Sequence, residues 1–228
     1  MVHFFVAYRQ TPAVEARLQD NRSRILQAAR ALVSEGGWSE AQVASVAASA
    51  GMATGTVYRY FPSKAELFAE VLSAVSQREV DVLTDIAVSG GPALGRLHSA
   101  VATFVRRAMR NPRLAYALIA EPCDKEIDEA RLTYRAAISV VIRSIIESGL
   151  AAKEVRPDVQ PDIAATVIVG GFMEGLIGPL SPLSRQQRPD TDAYRREVAQ
   201  LADQIAVLTC ASVAAPAAKV KTLPRRSA

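Results

Sequence analysis

Apolar residues recur along this chain at intervals of three and four, and no stretch alternates apolar with polar residues as a half-buried strand would. The first stripe is Leu18, Ile25, Ala29, Leu32 and Val33. It predicts a helix from about Arg17 to Glu35, closed by Gly36-Gly37 because glycine accepts the left-handed conformation past a helix end. Trp38 follows as a core plug. Ser39 with Gln42 fits a capping box, and a second helix carries Val43, Val46, Ala47 and Ala50 inward. Gly51 makes a tight turn. A third helix covers Thr54 to Phe61, with Val57 and Phe61 as its buried side, and Pro62 stops it. Ser63 and Glu66 form another capping box, opening a helix with Leu67, Phe68, Val71, Leu72 and Val75 that reaches about Val88.

Beyond the break at Ser89-Gly90-Gly91-Pro92 the helical pattern resumes. Helices are predicted over Pro92–Arg110, Arg113–Ala120 and from an Asp124 cap to Ser148, with Gly149 ending the last of these. An apolar helix spans Asp162–Ile177, a proline-bearing loop covers 178–190, and Thr191 caps a final helix to about Ala214. The fold class is therefore all-α with about nine helices. The organisation read from the pattern is a flexible arm at 1–16, a three-helix domain at 17–62, a larger helical domain at 63–215 entered through a connecting helix at 63–88, and a disordered basic tail at 216–228.

Composition narrows the function. With 228 residues and 50% hydrophobic content the chain can bury a sizeable core. A formal net charge of +4 permits nucleic-acid binding without requiring it. Cys123, Cys210, His3 and His98 lie far apart, so neither a disulfide framework nor a zinc site is expected, and cysteine usage fits a reducing cytoplasm. No cofactor is implied. No His/Cys/Asp/Glu constellation stands at a spacing useful for catalysis, which argues against an enzyme. The N-terminus has no basic segment ahead of its short apolar patch. Ile163–Leu180 is barely long enough to span a membrane and carries Glu174, so a buried helix of a soluble protein is the preferred reading over a membrane segment.

The stretch GWSEAQVASVAASAGMATGTVYRYFPSKAEL, residues 37–67, resembles the helix-turn-helix of the TetR family of transcriptional repressors. Gly51-Met52, Gly55-Thr56-Val57-Tyr58, Tyr60-Phe61 and Ser63-Lys64 carry the match, and the likeness extends over about residues 17–72. The sequence departs from the family at Ala41, Gln42 and Ala53, where hydroxyl residues are usual, so capping is expected to fall on Ser39 and Thr54. Ala44 is silent where some members hold a base-reading arginine.

The resemblance implies roles. Thr54 and Gly55 open the recognition helix, where they approach base edges in the major groove. Thr56 and Tyr60 are candidate phosphate contacts, with core packing as the alternative for Tyr60. Tyr58 packs on a thymine methyl or reaches phosphate, and Arg59 meets phosphate or guanine. Gln42 and Arg24 are further phosphate candidates, a solvated face being the alternative for Arg24. Lys64, at the start of the next helix, suits a phosphate.

The family likeness also implies a homodimer through the last two long helices and a small-molecule effector pocket among the middle ones. Gly171, Gly175 and Gly178 recur on one face, as close approach of a neighbouring helix requires, with Leu201, Ile205 and Leu208 on the final helix; packing within one subunit is the alternative. Pocket candidates are Phe104, Tyr116, Arg131, Tyr134, Phe172 and Met173, each also readable as plain core. The function expected is a ligand-responsive repressor, released from a pseudo-palindromic duplex operator by an apolar or amphipathic effector such as a fatty acid or acyl-CoA. A helical enzyme or a binding protein without DNA function is the alternative.

Overall fold

A computed structural model describes residues 12–182 and 191–216. Among them are nine helices: α1 (Pro12–Gly36), α2 (Val43–Ser49), α3 (Thr54–Tyr60), α4 (Lys64–Ala87), α5 (Ala93–Ala108), α6 (Pro112–Ile119), α7 (Lys125–Ala151), α8 (Pro161–Leu180) and α9 (Asp192–Val213). Beyond these, one isolated antiparallel bridge pairs Val155 with Ala214. The all-α class holds. The expected arm is shorter than predicted, because α1 starts at Pro12, where a proline ring suits the first helical turn. Residues 1–11 of that arm, most of the loop expected at 178–190 and all but Pro216 of the tail lie outside the described residues.

Several helix ends follow the rules read from the sequence. Gly37 takes φ +79 and donates its N–H to Val33 O at 2.9 Å, closing α1. Ser63 Oγ accepts the Glu66 N–H at 3.1 Å and starts α4, while Thr191 Oγ1 accepts the Tyr194 N–H at 3.2 Å and starts α9. Other ends depart from expectation. Ser39 does not cap α2: the residue ahead of that helix is Gln42, extended at φ −108 and ψ 146, with no side-chain cap. Thr54 is likewise inside α3, whose cap position is Ala53. Gly149 does not end α7, which runs on to Ala151. A Cβ at Gly149 would lie 2.6 Å from Val155 Cγ2 and 3.1 Å from Ala93 Cβ, so this glycine serves close packing within a continuing helix. Gly178 and Pro179 are also helical, inside α8.

The chain divides into two compact units that do not follow the boundary expected after Pro62. Among the described residues, the first holds 12–78, 110–134 and 180–182. Its core joins Ile25, Ala29 and Val33 of α1, Val46 of α2, Val57 of α3 and Leu67, Phe68 and Val71 of α4 to Leu114 and Ala117 of α6 and Ile127 of α7. The three-helix domain is therefore completed by residues from the middle of the chain. Trp38 is the plug predicted: it meets Phe68 edge-on at a centroid separation of 5.7 Å, and its Nε1 donates to Ala117 O at 2.8 Å. Arg113 of α6 forms an ion pair with Glu121 at 2.6 Å and donates to Gly36 O, while Trp38 N donates to Glu121 Oε2 at 3.2 Å.

Among the described residues, the second unit holds 79–109, 135–179 and 191–216. Here α5 packs along α9. Leu97, Val101, Phe104, Ile142, Ile145, Phe172, Leu176, Ala202 and Ala206 are buried in it. Glu79 takes two hydrogen bonds from Arg107, at 2.6 and 2.8 Å, and Glu154 Oε2 accepts the Leu94 N–H at 3.0 Å, near the start of α5.

Candidate nucleic-acid interface

The geometry begins with the turn between α2 and α3. Ala50 ends α2, Gly51 follows at φ +66, and the paired bonds Gly51 N→Ala48 O at 3.1 Å and Met52 N→Ala47 O at 2.9 Å wrap the chain back on the helix end. Only a residue tolerant of positive φ fits there without strain. Val57 and Phe61, with 0% and 3% of their surface exposed, pin α3 to the core. That anchorage turns Thr54, Gly55, Tyr58 and Arg59 outward, at the helical spacing of one face. No atom lies within 4 Å of the Cβ position of Gly55, and Tyr58 is 47% exposed. An exposed aromatic beside an exposed arginine, a threonine and bare backbone is a surface built for a polar partner.

The other candidates sit around this face in different ways. Thr56, Tyr60 and Lys64 are half-buried, and Gln42 is exposed. Gln42 Nε2 donates to Ser39 O at 3.0 Å. Lys64 Nζ lies over the Phe68 ring at 5.9 Å from its centroid. Arg24 is turned to the turn itself: its Nη2 donates to Ala50 O at 2.7 Å, satisfying a carbonyl that the end of α2 leaves open. Tyr60 Oη accepts from Asn21 Nδ2 at 3.1 Å. Next to them Arg22 pairs with both carboxylate oxygens of Glu70, and its guanidinium lies 4.8 Å from the Phe61 ring centroid.

Neither Asn21 nor Arg22 belongs to a recognisable motif in the sequence. Their signal is there: two polar residues stand at the phase of an apolar stripe, between Leu18 and Ile25. In α1 that phase faces the helix-turn-helix.

The six pocket candidates divide between the units. Phe104 and Phe172 are brought together, tilted rings with centroids 4.9 Å apart, and Met173 is buried in the same unit. Tyr116, Arg131 and Tyr134 belong to the first unit, where Tyr134 packs against the core. Arg131 donates to Leu118 O at 3.0 Å and Glu121 O at 2.7 Å and pairs with Asp128 at 2.9 Å, so its guanidinium closes the C-terminal end of α6. Arg131 Nη2 also donates to Cys123 Sγ at 3.2 Å. Burial raises the Cys123 thiol above its ordinary value despite that cation, and burial pushes Cys210 up to about 11. Among the described residues no group of three or more His, Cys, Asp or Glu could hold a metal ion.

The glycine stripe faces outward. No atom lies within 4 Å of the Cβ positions of Gly171 and Gly178, and Gly175 meets only Ile205 at 3.5 Å. Packing within the subunit therefore does not demand these glycines. Ile163 and Val167 extend the same exposed face of α8. On α9, Leu201 and Ile205 are half-buried, and Leu208 is 70% exposed. By length and composition α8 is apolar enough to cross a membrane, while Ile168, Val169, Phe172, Met173 and Leu176 on its other side are buried within the protein.

Comparison with known proteins agrees with this geometry. Residues 25–71 match the family model described as bacterial regulatory proteins, tetR family. The chain is 41% identical over 101 residues to the HTH-type transcriptional repressor KstR of Mycolicibacterium smegmatis, which covers 44% of this chain and 49% of that protein. It is 27% identical over 130 residues to the nucleoid occlusion factor SlmA of Haemophilus influenzae, covering 56% and 59% of the two chains. The chain thus spans about half the length of the curated repressors it matches. Among solved structures, the fatty acid degradation regulator FadR of Bacillus halodurans superposes with a TM-score of 0.70 at 17% identity, covering 89% of this chain and 96% of that one. FadR of Bacillus subtilis, in complex with stearoyl-CoA, gives a TM-score of 0.70 at 17% identity over 82% and 97%.

Proposed function

We infer that this chain, whose residues 25–71 match the tetR family of bacterial regulatory proteins, is a cytoplasmic, dimeric repressor released from duplex DNA by a small molecule. The observation that carries this is the outward face of α3: Thr54, Gly55, Tyr58 and Arg59, held by the buried Val57 and Phe61. Thr54 reads base edges, Gly55 lets the backbone approach them closely, Tyr58 packs on a thymine methyl or reaches phosphate, Arg59 meets phosphate or guanine, and Lys64, Thr56, Tyr60 and Gln42 take phosphates. Ala44 is exposed and contributes no hydrogen bond, so sequence reading rests on α3.

The exposed strip of Ile163, Val167, Gly171, Gly175 and Gly178 on α8, with Leu208 on α9, is the surface a second copy covers. A two-fold pair presents two α3 helices to successive major grooves, and the operator is pseudo-palindromic. Glu174, exposed on the same side of α8, is the counter-argument to a membrane span, since a carboxylate is costly against lipid.

The effector is apolar or amphipathic. Phe104, Phe172 and Met173 offer apolar lining, and Arg131 is already occupied by carbonyl groups, which favours recognition through an acyl chain. The fatty-acid regulators among the structural neighbours point to the same class. Release requires that the effector prefer the conformation that does not bind DNA.

The test is binding to duplex from the region upstream of the protein's own coding sequence, titrated with salt. Each phosphate left without its cation lowers the slope of log K against log salt by roughly 0.9, so the double variant Arg59→Ala, Lys64→Ala is expected to lower it by nearly 2 if both cations meet phosphate. Long-chain acyl-CoA or the free fatty acid then releases the duplex. A wild-type protein that binds random duplex as tightly as this one at moderate salt refutes the reading.

A further inference from the structure

Two neighbouring residues of α1 grip the last residue of α3 and the one after it. Arg22 holds Phe61 by its guanidinium and Glu70 by two hydrogen bonds, and Asn21 donates from Nδ2 to Tyr60 Oη at 3.1 Å. The Arg22 contacts fix where α1 lies against the end of α3. The Asn21 contact has a polarity that matters. A carboxamide nitrogen only donates, so the Tyr60 oxygen must accept, and its own proton is not used in that bond. A phenolic O–H lies near the ring plane and has two rotamers. Occupying one side of the oxygen with the Asn21 amide directs the proton to the other. Tyr60 is half-buried at the end of α3, one residue after the exposed Arg59, with its ring against the core of this unit.

We propose that Asn21 is a positioning residue for DNA binding: it orients the Tyr60 hydroxyl so that the phenol donates its proton to a backbone phosphate oxygen while accepting from the Asn21 amide. This rests on the DNA-binding reading above. The two bonds reinforce one another. A phosphate that draws on the phenolic proton makes the phenol oxygen a better acceptor, and the amide in turn makes the proton a better donor. Asn21 thereby adds to affinity without touching DNA, and without a charge of its own. The sequence pattern alone assigns Tyr60 to phosphate or to core packing; the amide bond lets the ring pack while the phenolic proton is directed away from Asn21.

The experiment is a double-mutant cycle in the full chain, using the duplex that wild-type protein enriches from a randomised library. Asn21→Ala is expected to weaken binding about five- to tenfold in a wild-type background, the size of one hydrogen bond. In a Tyr60→Phe background the same change is expected to have almost no effect. Asn21→Asp separates positioning from mere structure. Its carboxylate can only accept, so it takes the Tyr60 proton for itself: the melting midpoint holds while binding falls below wild type. The proposal is overturned if Asn21→Ala binds like wild type, or loses the same factor with and without the Tyr60 hydroxyl. It is equally overturned if the loss tracks a lowered melting midpoint. A wild-type protein that enriches no duplex is a different outcome and overturns the DNA-binding reading itself.

Discussion

Removing the Glu121 carboxylate should loosen the helix-turn-helix unit from a distance. Glu121 and Arg113 are 13% and 14% exposed in their side chains and bond through both carboxylate oxygens, at 2.6 and 2.8 Å. Glu121 also accepts the Trp38 N–H at 3.2 Å, and Arg113 donates to Gly36 O where α1 ends. Glu121→Ala leaves a largely buried guanidinium with one carbonyl and leaves the Trp38 N–H without its acceptor. Breaking one side of a buried pair costs about 3–5 kcal/mol, and an orphaned buried N–H about 1–3 kcal/mol. Because Arg113 keeps a partner and the site is not fully dry, the low end applies, about 3 kcal/mol. For a chain of this size that corresponds to roughly 6–12 °C in midpoint. Trp38 is the single tryptophan, so its fluorescence follows this unit alone during heating. Glu121→Gln keeps one acceptor and should fall between wild type and alanine, at about half the loss. An alanine variant whose fluorescence midpoint stays within about 1 °C of wild type refutes the argument.

Other consequences can be checked separately. Gly149→Ala should destabilise by about 1–3 kcal/mol in urea denaturation, because the added methyl meets Val155 and Ala93 at 2.6 and 3.1 Å. Gly171→Ala faces open space and should raise the stability of the isolated subunit by up to about 1 kcal/mol, yet weaken self-association in sedimentation if a second copy covers α8. Arg24→Ala should destabilise the turn by about 1 kcal/mol and leave the salt slope of DNA binding unchanged, since its guanidinium is spent on Ala50 O; a slope lowered by about 0.9 would make it a phosphate contact instead. Cys210 should resist iodoacetamide until pH nears 11. Its raised value also means that stability, full below about pH 9, declines as pH rises from 9.0 toward 11, because the unfolded thiol gives up its proton first. Alkylation of Cys210 in folded protein at pH 8 as fast as a free thiol would contradict the burial.

Local chemistry was legible in the sequence wherever one segment decides the outcome. Ser63 with Glu66, Thr191 and Gly37 each act within a few residues, and each stands where the pattern predicts. The start of α2 was not legible, because burial of Ala41 at 0% and Val43 at 7% sets where that helix begins, and a polar pair at Ser39 and Gln42 cannot outweigh it. Gly149 reads as a stop only as long as Val155 and Ala93 are unknown neighbours. At the candidate interface, the outward residues of α3 followed from helical spacing once Val57 and Phe61 were recognised as its buried side. The jobs of Arg24 and Asn21 depend on how α1 lies against the end of α2 and against Tyr60 of α3, packing relations that spacing along one helix does not contain.

The core that holds α3 draws on Leu114, Ala117 and Ile127 as well as on residues before 73. Its assembly is therefore a matter of timing. Closing the intervening loop of ~40 residues costs roughly 3 kcal/mol in chain entropy. During synthesis this core is not complete until α6 has left the ribosome. A nascent chain stalled before Pro112 would lack Leu114, Ala117 and Ile127, so the core to which α3 belongs is completed only after about half of the protein has been made.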